Sequence, residues 1–197
     1  MRAFTPILTA RQMRRCDAYT IRETGVPSHI LMERAAAALV RCIDSRPALF
    51  PAGQVLILCG GGNNGGDGFA AARRLATGQD CTARPVAVLY LGQPGVDGTP
   101  DPTRMSGECA RQYALATAAG VPVCTPEALD RLLPVSTAVL DAVFGIGLDR
   151  AAEGAAADVF RAVNAAGLPV LAADIPSGVM ADTGAVPGDA IRAAMTV

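Results

Sequence analysis

Apolar and polar positions along this chain switch repeatedly between two periods. Val55-Leu56-Ile57-Leu58, Pro85 to Leu91 (PVAVLYL), Thr137 to Phe144 (TAVLDAVF) and Pro169 to Ala173 (PVLAA) are short, nearly unbroken apolar runs. Their length and β-branched content predict strands buried on both faces. A shorter run, Val121-Pro122-Val123, adds another. Between the runs, apolar residues recur at helical spacing. Thr9-Ala10-Arg11-Gln12 is a capping box opening a helix to about Glu23, ended by Gly25-Val26-Pro27. Ser28 is the expected N-cap of a second helix to Ile43, with Leu31, Met32, Ala35, Leu39 and Ile43 on one face. Further helices are predicted from Phe69 to a Gly78 stop, over Thr103 to Ala119, from Thr125-Pro126-Glu127 to Leu133, and over Gly154 to Ala166. Gly92 to Pro102, rich in Gly, Pro and Asp, is a surface loop. Strands and helices alternate throughout. The fold class expected is α/β: a three-layer α/β/α sandwich around a mostly parallel, doubly wound sheet.

One stretch departs from plain alternation. Gln54 to Leu75 (QVLILCGGGNNGGDGFAAARRL) runs from a strand, through six Gly and Asn residues and Gly66-Asp67-Gly68, into a helix. Such a turn aims backbone N–H groups and a helix N-terminus at an anion. Gly60, Gly62 and Gly65 match a dinucleotide fingerprint literally, but no acid for a ribose follows the next strand, which ends in Gly92-Gln93-Pro94. A purely structural turn is the plain alternative. Two Asn and an Asp exceed what a turn needs, so the stretch reads as a ligand loop, though not that of an ordinary hydride-transferring dehydrogenase.

Composition narrows the chemistry. The chain has 197 residues, enough for one domain with a substantial core, and 51% are hydrophobic, with no run fit to span a bilayer. Its start lacks the apolar core and cleavage site of a secretory signal, so a cytoplasmic location is the default. A net charge of -1 gives no case for nucleic acid or anionic membranes as partners. All 17 basic residues are Arg, which excludes a P-loop lysine, a Schiff base and a Lys general base within these residues. Six cysteines are scattered singly and His29 is the one histidine, so neither a zinc cluster nor a Ser-His-Asp triad is expected.

The remaining candidates lie near strand carboxyl ends, where such sheets bind ligands. They are Asn63-Asn64-Gly65-Gly66-Asp67, Asp141 with the loop after it, and Asp174-Ile175-Pro176-Ser177-Gly178. Asp141 interrupts an apolar run, and burying a lone carboxylate there costs roughly several kcal/mol unless it is paired, bound to a cation, or capping backbone N–H groups. Asp174 repeats the pattern after the next strand, with an Asx-type turn as its plain alternative. Carboxylate, amide oxygen, hydroxyl and carbonyl are hard ligands, suited to an alkali or alkaline-earth cation.

These motifs resemble those of the NAD(P)H-hydrate epimerases, the YjeF N-terminal domain family. Asn63 to Gly68, Asp141-Ala142-Val143-Phe144-Gly145 and Asp174 to Gly178 carry the resemblance, together with Thr9 to Met13 and Leu31 to Ala35. It covers nearly the whole chain with motifs in the family order. It implies a Rossmann-like sandwich and interconversion of the R and S hydrates of NADH and NADPH, so that an S-specific dehydratase can restore both. By resemblance, Asn63, Asn64, Gly65, Gly66, Asp67, Gly145, Ile146, Gly147, Leu148, Asp149, Arg150, Ala151 and Asp174 contact the hydrate. Asn64, Asp141 and Ser177 bind one potassium ion per subunit, and Asp141 is the catalytic candidate. A homodimer and functional partnership with an ADP- or ATP-dependent dehydratase are also implied. Relatives continue past Val197 with another strand and a Lys-Pro-Gly segment, so residues 1–197 read as a single domain trimmed at its carboxyl edge. Many bacterial relatives carry a dehydratase domain beyond that point. A non-catalytic scaffold of the same fold is the alternative, disfavoured by the presence of Asn64, Asp67, Asp141, Asp174 and Ser177. No Arg can be assigned to a 2′-phosphate, which leaves NADH and NADPH hydrates both open.

Overall fold

A computed structural model describes residues 8–197; the absence of a signal sequence, read from residues 1–15, falls partly outside them. Helix α1 (Ala10–Arg22) is opened by the expected capping box, with Thr9 Oγ1 accepting from Gln12 N–H and Gln12 Oε1 from Thr9 N–H. Helix α2 (Ser28–Asp44) begins one residue earlier than expected. Pro27 is its N-cap, and the Ser28 hydroxyl donates to the Glu108 carboxylate rather than to the helix.

Strand β1 (Gln54–Cys59) leads through Gly60–Gly62 into helix α3 (Asn63–Thr77). This corrects the sequence expectation: Asn63 to Gly68 are the first turns of the helix, not a loop before Phe69. Gly is a poor helix former in isolation. Here tertiary packing demands it, because a Cβ on Gly68 would lie 2.7 Å from Cys59 Sγ and 2.8 Å from Ala142 Cβ. Gly78 stops α3 in the left-handed conformation, φ 71°. Then follow β2 (Val86–Tyr90), α4 (Gly107–Ala118, capped by Ser106), β3 (Val123–Cys124), a short α5 (Leu129–Leu132) between 3-10 turns, and β4 (Ser136–Ala142). The chain ends with α6 (Ala155–Ala166), β5 (Val170–Ala172) and β6 (Met195–Thr196).

Among the described residues the six strands form one sheet in the order β3-β2-β1-β4-β5-β6, and every pairing is parallel. The doubly wound α/β architecture read from the sequence is therefore present. Val55, Ile57 and Cys59 of β1 pack into a core with α2, α3 and α4, whereas Leu56 and Leu58 pack into a second core with α5 and α6. Strand order reverses between β1 and β4, opening a crevice at their carboxyl ends. The candidate site residues follow β1, β4 or β5, except Asp141, which lies near the end of β4 itself.

A polar tie fixes α3 from behind. Glu33 of α2 receives Arg73 at 2.6 Å, Arg74 at 2.8 Å and Gln112 of α4 at 3.1 Å. Arg74 is buried and also meets Asp80 at 2.6 Å. Burial opposes charge on Glu33, but Gln112, Arg74 and Arg73 outweigh it and hold the carboxyl below its ordinary range.

Candidate active site

The α3 turn supplies the first wall. Gly62 is its N-cap in extended backbone with no side-chain cap, and the first intrahelical bond runs from Gly66 N–H to Gly62 O, 3.1 Å. That leaves backbone N–H groups at the tip for an outside acceptor. Asn63 is tied to the protein: its Oδ1 accepts from Ser106 Oγ at 2.7 Å, and Ser106 N–H donates to Gly61 O at 2.8 Å. Asn64 differs. Both polar atoms of its amide are buried and find no partner, a costly arrangement that points to a missing ligand. Gly65 and Gly66 are buried, and a Cβ on Gly65 would lie 1.9 Å from Gly60 O, so they shape the turn. The Asp67 carboxyl is pushed up to about 7, first by burial and then by the charges of Asp174 and Asp17.

Asp141 forms the floor. It sits opposite Leu58 of β1 and Ala172 of β5, near the end of the two-sided buried β4, and is fully buried. Its Oδ1 accepts from Ser177 Oγ at 2.6 Å and Val143 N–H at 3.3 Å, and Oδ2 accepts from Ser177 N–H at 2.8 Å. Burial raises the carboxyl to about 6, opposed by the two Ser177 bonds and the Val143 N–H. Ser177, also fully buried, accepts from Phe144 N–H at 2.9 Å and lies 3.2 Å from Phe144 O. The capping alternative for Asp141 is thus half true: it caps two backbone N–H groups, yet one is that of Ser177.

Asp174 closes the third side. It adopts φ 66°, a left-handed backbone that Asp tolerates better than most residues. Its Oδ2 accepts from Ile146 N–H at 2.7 Å, and burial raises its carboxyl despite that bond. Gly145 is wedged between two site residues, since a Cβ there would lie 2.4 Å from Asp174 Oδ2 and 3.5 Å from Asn64 Cγ. The loop 145–151 therefore divides. Gly145 and Ile146 belong to the site; Leu148 closes a turn onto Gly145 O at 3.1 Å; Gly147, Asp149 and Arg150 are exposed, and among the described contacts nothing links Asp149 or Arg150 to the site. Ala151 packs near Gly188 instead.

The sequence predicts α1 but not its contacts with the site. Arg14 donates to Ile146 O at 3.3 Å, Ala10 N–H donates to Asp182 Oδ1 at 2.6 Å, and the charge of Asp17 reaches both Asp67 and Asp174. These residues carry no local motif beyond the capping box, so only folding brings them to the crevice.

Residues 28–197 match the family described as YjeF-related protein N-terminus. The chain belongs to that family. Among its relatives, a Limosilactobacillus fermentum protein named NAD(P)H-hydrate epimerase is 42% identical over 191 residues, covering 96% of this chain and 83% of its own. A protein of the same name from Weissella koreensis is 39% identical, covering 98% of this chain and 80% of its own. The crystal structure of yeast YNL200c superposes with a TM-score of 0.77 over 98% of this chain and 79% of the yeast chain; at 20% identity it speaks to the fold alone.

The donor set of this YjeF-related domain fits the cation suggested by its sequence. Asn64 lies on one side of Gly145, while the Ser177 hydroxyl, bonded to Asp141, meets the N–H and carbonyl of Phe144. The three side chains thus converge on the Phe144–Gly145 peptide. They offer oxygen ligands, one formal negative charge and an Asn64 oxygen without a hydrogen-bond partner. That chemistry suits a monovalent hard cation. Among the described residues no three His, Cys, Asp or Glu side chains gather into a metal-binding group, which is the arrangement a zinc ion would need.

Proposed function

We propose that this chain is an NAD(P)H-hydrate epimerase, interconverting the R and S forms of hydrated NADH and NADPH. The observation that carries the reading is the buried Asp141–Ser177 pair, set across Phe144–Gly145 from an Asn64 amide with no protein partner. The names of the bacterial relatives support it.

The reacting carbon bears a hydroxyl and is bonded to the ring nitrogen. The nitrogen lone pair expels the hydroxyl, which takes a proton and leaves as water, and the ring becomes planar and cationic. Water then adds to the opposite face and gives up a proton, so the centre inverts with no change of redox state. The chain must supply an acid, a base and a dry pocket. Asp141, fully buried and bonded to Ser177, serves these proton transfers. Asp67, at about 7, is a second carboxyl poised for the same work. Asn64, Asp141 and Ser177 would hold potassium, which supplies a fixed positive charge to orient oxygens at the centre. The free N–H groups of the α3 turn face the substrate phosphates.

The enzyme acts as a homodimer in the cytoplasm, alongside a dehydratase that consumes the S hydrate. The test is to incubate the R hydrate with a purified S-specific dehydratase and follow recovery of NADH. Addition of this chain accelerates recovery. Binding of the hydrate without acceleration would instead make it a scaffold of the same fold.

A further inference from the structure

The carbonyls of Gly60–Gly62 and the side-chain oxygen of Asn63 stand where the chain turns from β1 into α3, and each is engaged by a donor of the chain. Gly60 O meets Cys109 Sγ at 3.6 Å, Gly62 O takes Gly66 N–H at 3.1 Å, and Ser106 holds the other two. Its N–H donates to Gly61 O at 2.8 Å and its hydroxyl to Asn63 Oδ1 at 2.7 Å. Ser106 is the N-cap of α4, and its Oγ also accepts from Cys109 N–H at 3.4 Å. The cap uses the hydroxyl as an acceptor, so its proton is left for Asn63. That bond decides which way the Asn63 amide lies. Its oxygen is held at α4, while its N–H2 group, with no protein partner among the described residues, is left to the exposed face of the turn. The backbone N–H groups of the first turn of α3 have no intrahelical acceptor, and no acidic side chain lies in that turn.

We infer that Ser106 is a positioning residue for the pyrophosphate of the hydrate, holding Asn63 so that its amide N–H2 donates to a phosphate oxygen beside the free N–H groups of α3. This inference rests on the epimerase reading for its substrate. A phosphate at a helix N-terminus is bound by donors and repelled by any oxygen that faces it. Without the Ser106 hydroxyl, the Asn63 amide is free to rotate and present its oxygen to the anion. Ser106 itself touches no substrate; it acts through Asn63.

The test uses the coupled assay together with calorimetric affinities for ADP and for reduced nicotinamide riboside, which carries no phosphate. Ser106→Ala, Ser106→Thr, Asn63→Ala and the double variant Ser106→Ala/Asn63→Ala are compared with the wild type. Ser106→Ala should raise KM about fivefold with kcat within about twofold, as for loss of a contact made equally in ground and transition states. ADP affinity falls by a similar factor and riboside affinity is unchanged. Ser106→Thr, which keeps the hydroxyl, restores both KM and ADP affinity. In the Asn63→Ala background, Ser106→Ala causes no further loss. A Ser106→Ala chain with lowered thermal stability but unchanged ADP affinity has lost only a helix cap, and overturns the inference. So do a wild type that does not bind ADP, an equal loss of riboside binding, and additive losses in the double variant. Coupling of Ser106 to Asn63 in ADP binding, in a wild-type chain that accelerates no epimerisation, leaves the positioning role standing and removes the epimerase reading.

Discussion

Replacing Asp67 by Asn tests whether the site stores destabilisation in its acids. The folded protein lifts this carboxyl from its ordinary 3.8 to about 7, by burial first and then by Asp174 and Asp17. It therefore holds the proton more tightly than the unfolded chain does. Its stabilising contribution is complete below about pH 3.8 and is lost as pH rises through about 7. The gap corresponds to about 4 kcal/mol when fully developed, and to roughly 2–3 kcal/mol between pH 5 and pH 8. Asp141 and Asp174 are raised as well and act in the same direction, so the wild type alone does not isolate the effect. The difference between wild type and Asp67→Asn does. Urea unfolding in potassium-free buffer at pH 5 and pH 8 measures it. The variant should gain on the wild type by about 2 kcal/mol across that range. A difference that is the same at both pH values would show that Asp67 is ionised normally, and the picture of a crowded, desolvated crevice would be wrong.

Other expectations follow from single contacts. Gly145→Ala drives a methyl against Asp174 Oδ2 and breaks its bond to Ile146 N–H; losing a hydrogen bond to a charged group, about 1.5–3 kcal/mol, lowers kcat/KM by roughly tenfold to a hundredfold or more. Gly147→Ala, whose nearest neighbour is Arg14 at 4.0 Å, is the control and should be close to wild type. Ser177→Ala removes a bond that lowers the Asp141 carboxyl, so the acid limb of the pH–rate profile moves up as kcat falls; an unmoved limb would detach Asp141 from the profile. Glu33→Gln weakens the tie between α2, α3 and α4 and should cost about 3 kcal/mol in urea unfolding, with Arg74 left buried beside Asp80 alone.

Much of the site was legible without coordinates because it is built at strand ends. Asp141 announced itself by breaking an apolar run, and the structure places it fully buried with Ser177, thirty-six residues on, donating twice to it. Asn63 was read as a substrate contact and Asn64 as a potassium ligand as well; the fold separates them too, binding Asn63 to Ser106 and leaving Asn64 without a partner. Asp149 and Arg150 were assigned by the family resemblance; both are exposed, and among the described contacts neither has a polar partner in the site. The glycine-rich stretch looked like a loop because local propensity opposes a helix there. The tight approach of α3 to Cys59 and Ala142, visible only in three dimensions, reverses that preference.

By itself, then, the sequence determined the order and type of the elements, the parallel sheet and the residues at its carboxyl edge. Hydrophobic period and glycine position are local signals, and they are written along the chain. Only the tertiary structure decided which polar groups lack partners, which carboxylates crowd one another, and that α1 brings Arg14 to the crevice. Those properties depend on desolvation and on the approach of segments more than a hundred residues apart, as with Arg14 and Ile146. Neither is encoded in any window of neighbouring residues.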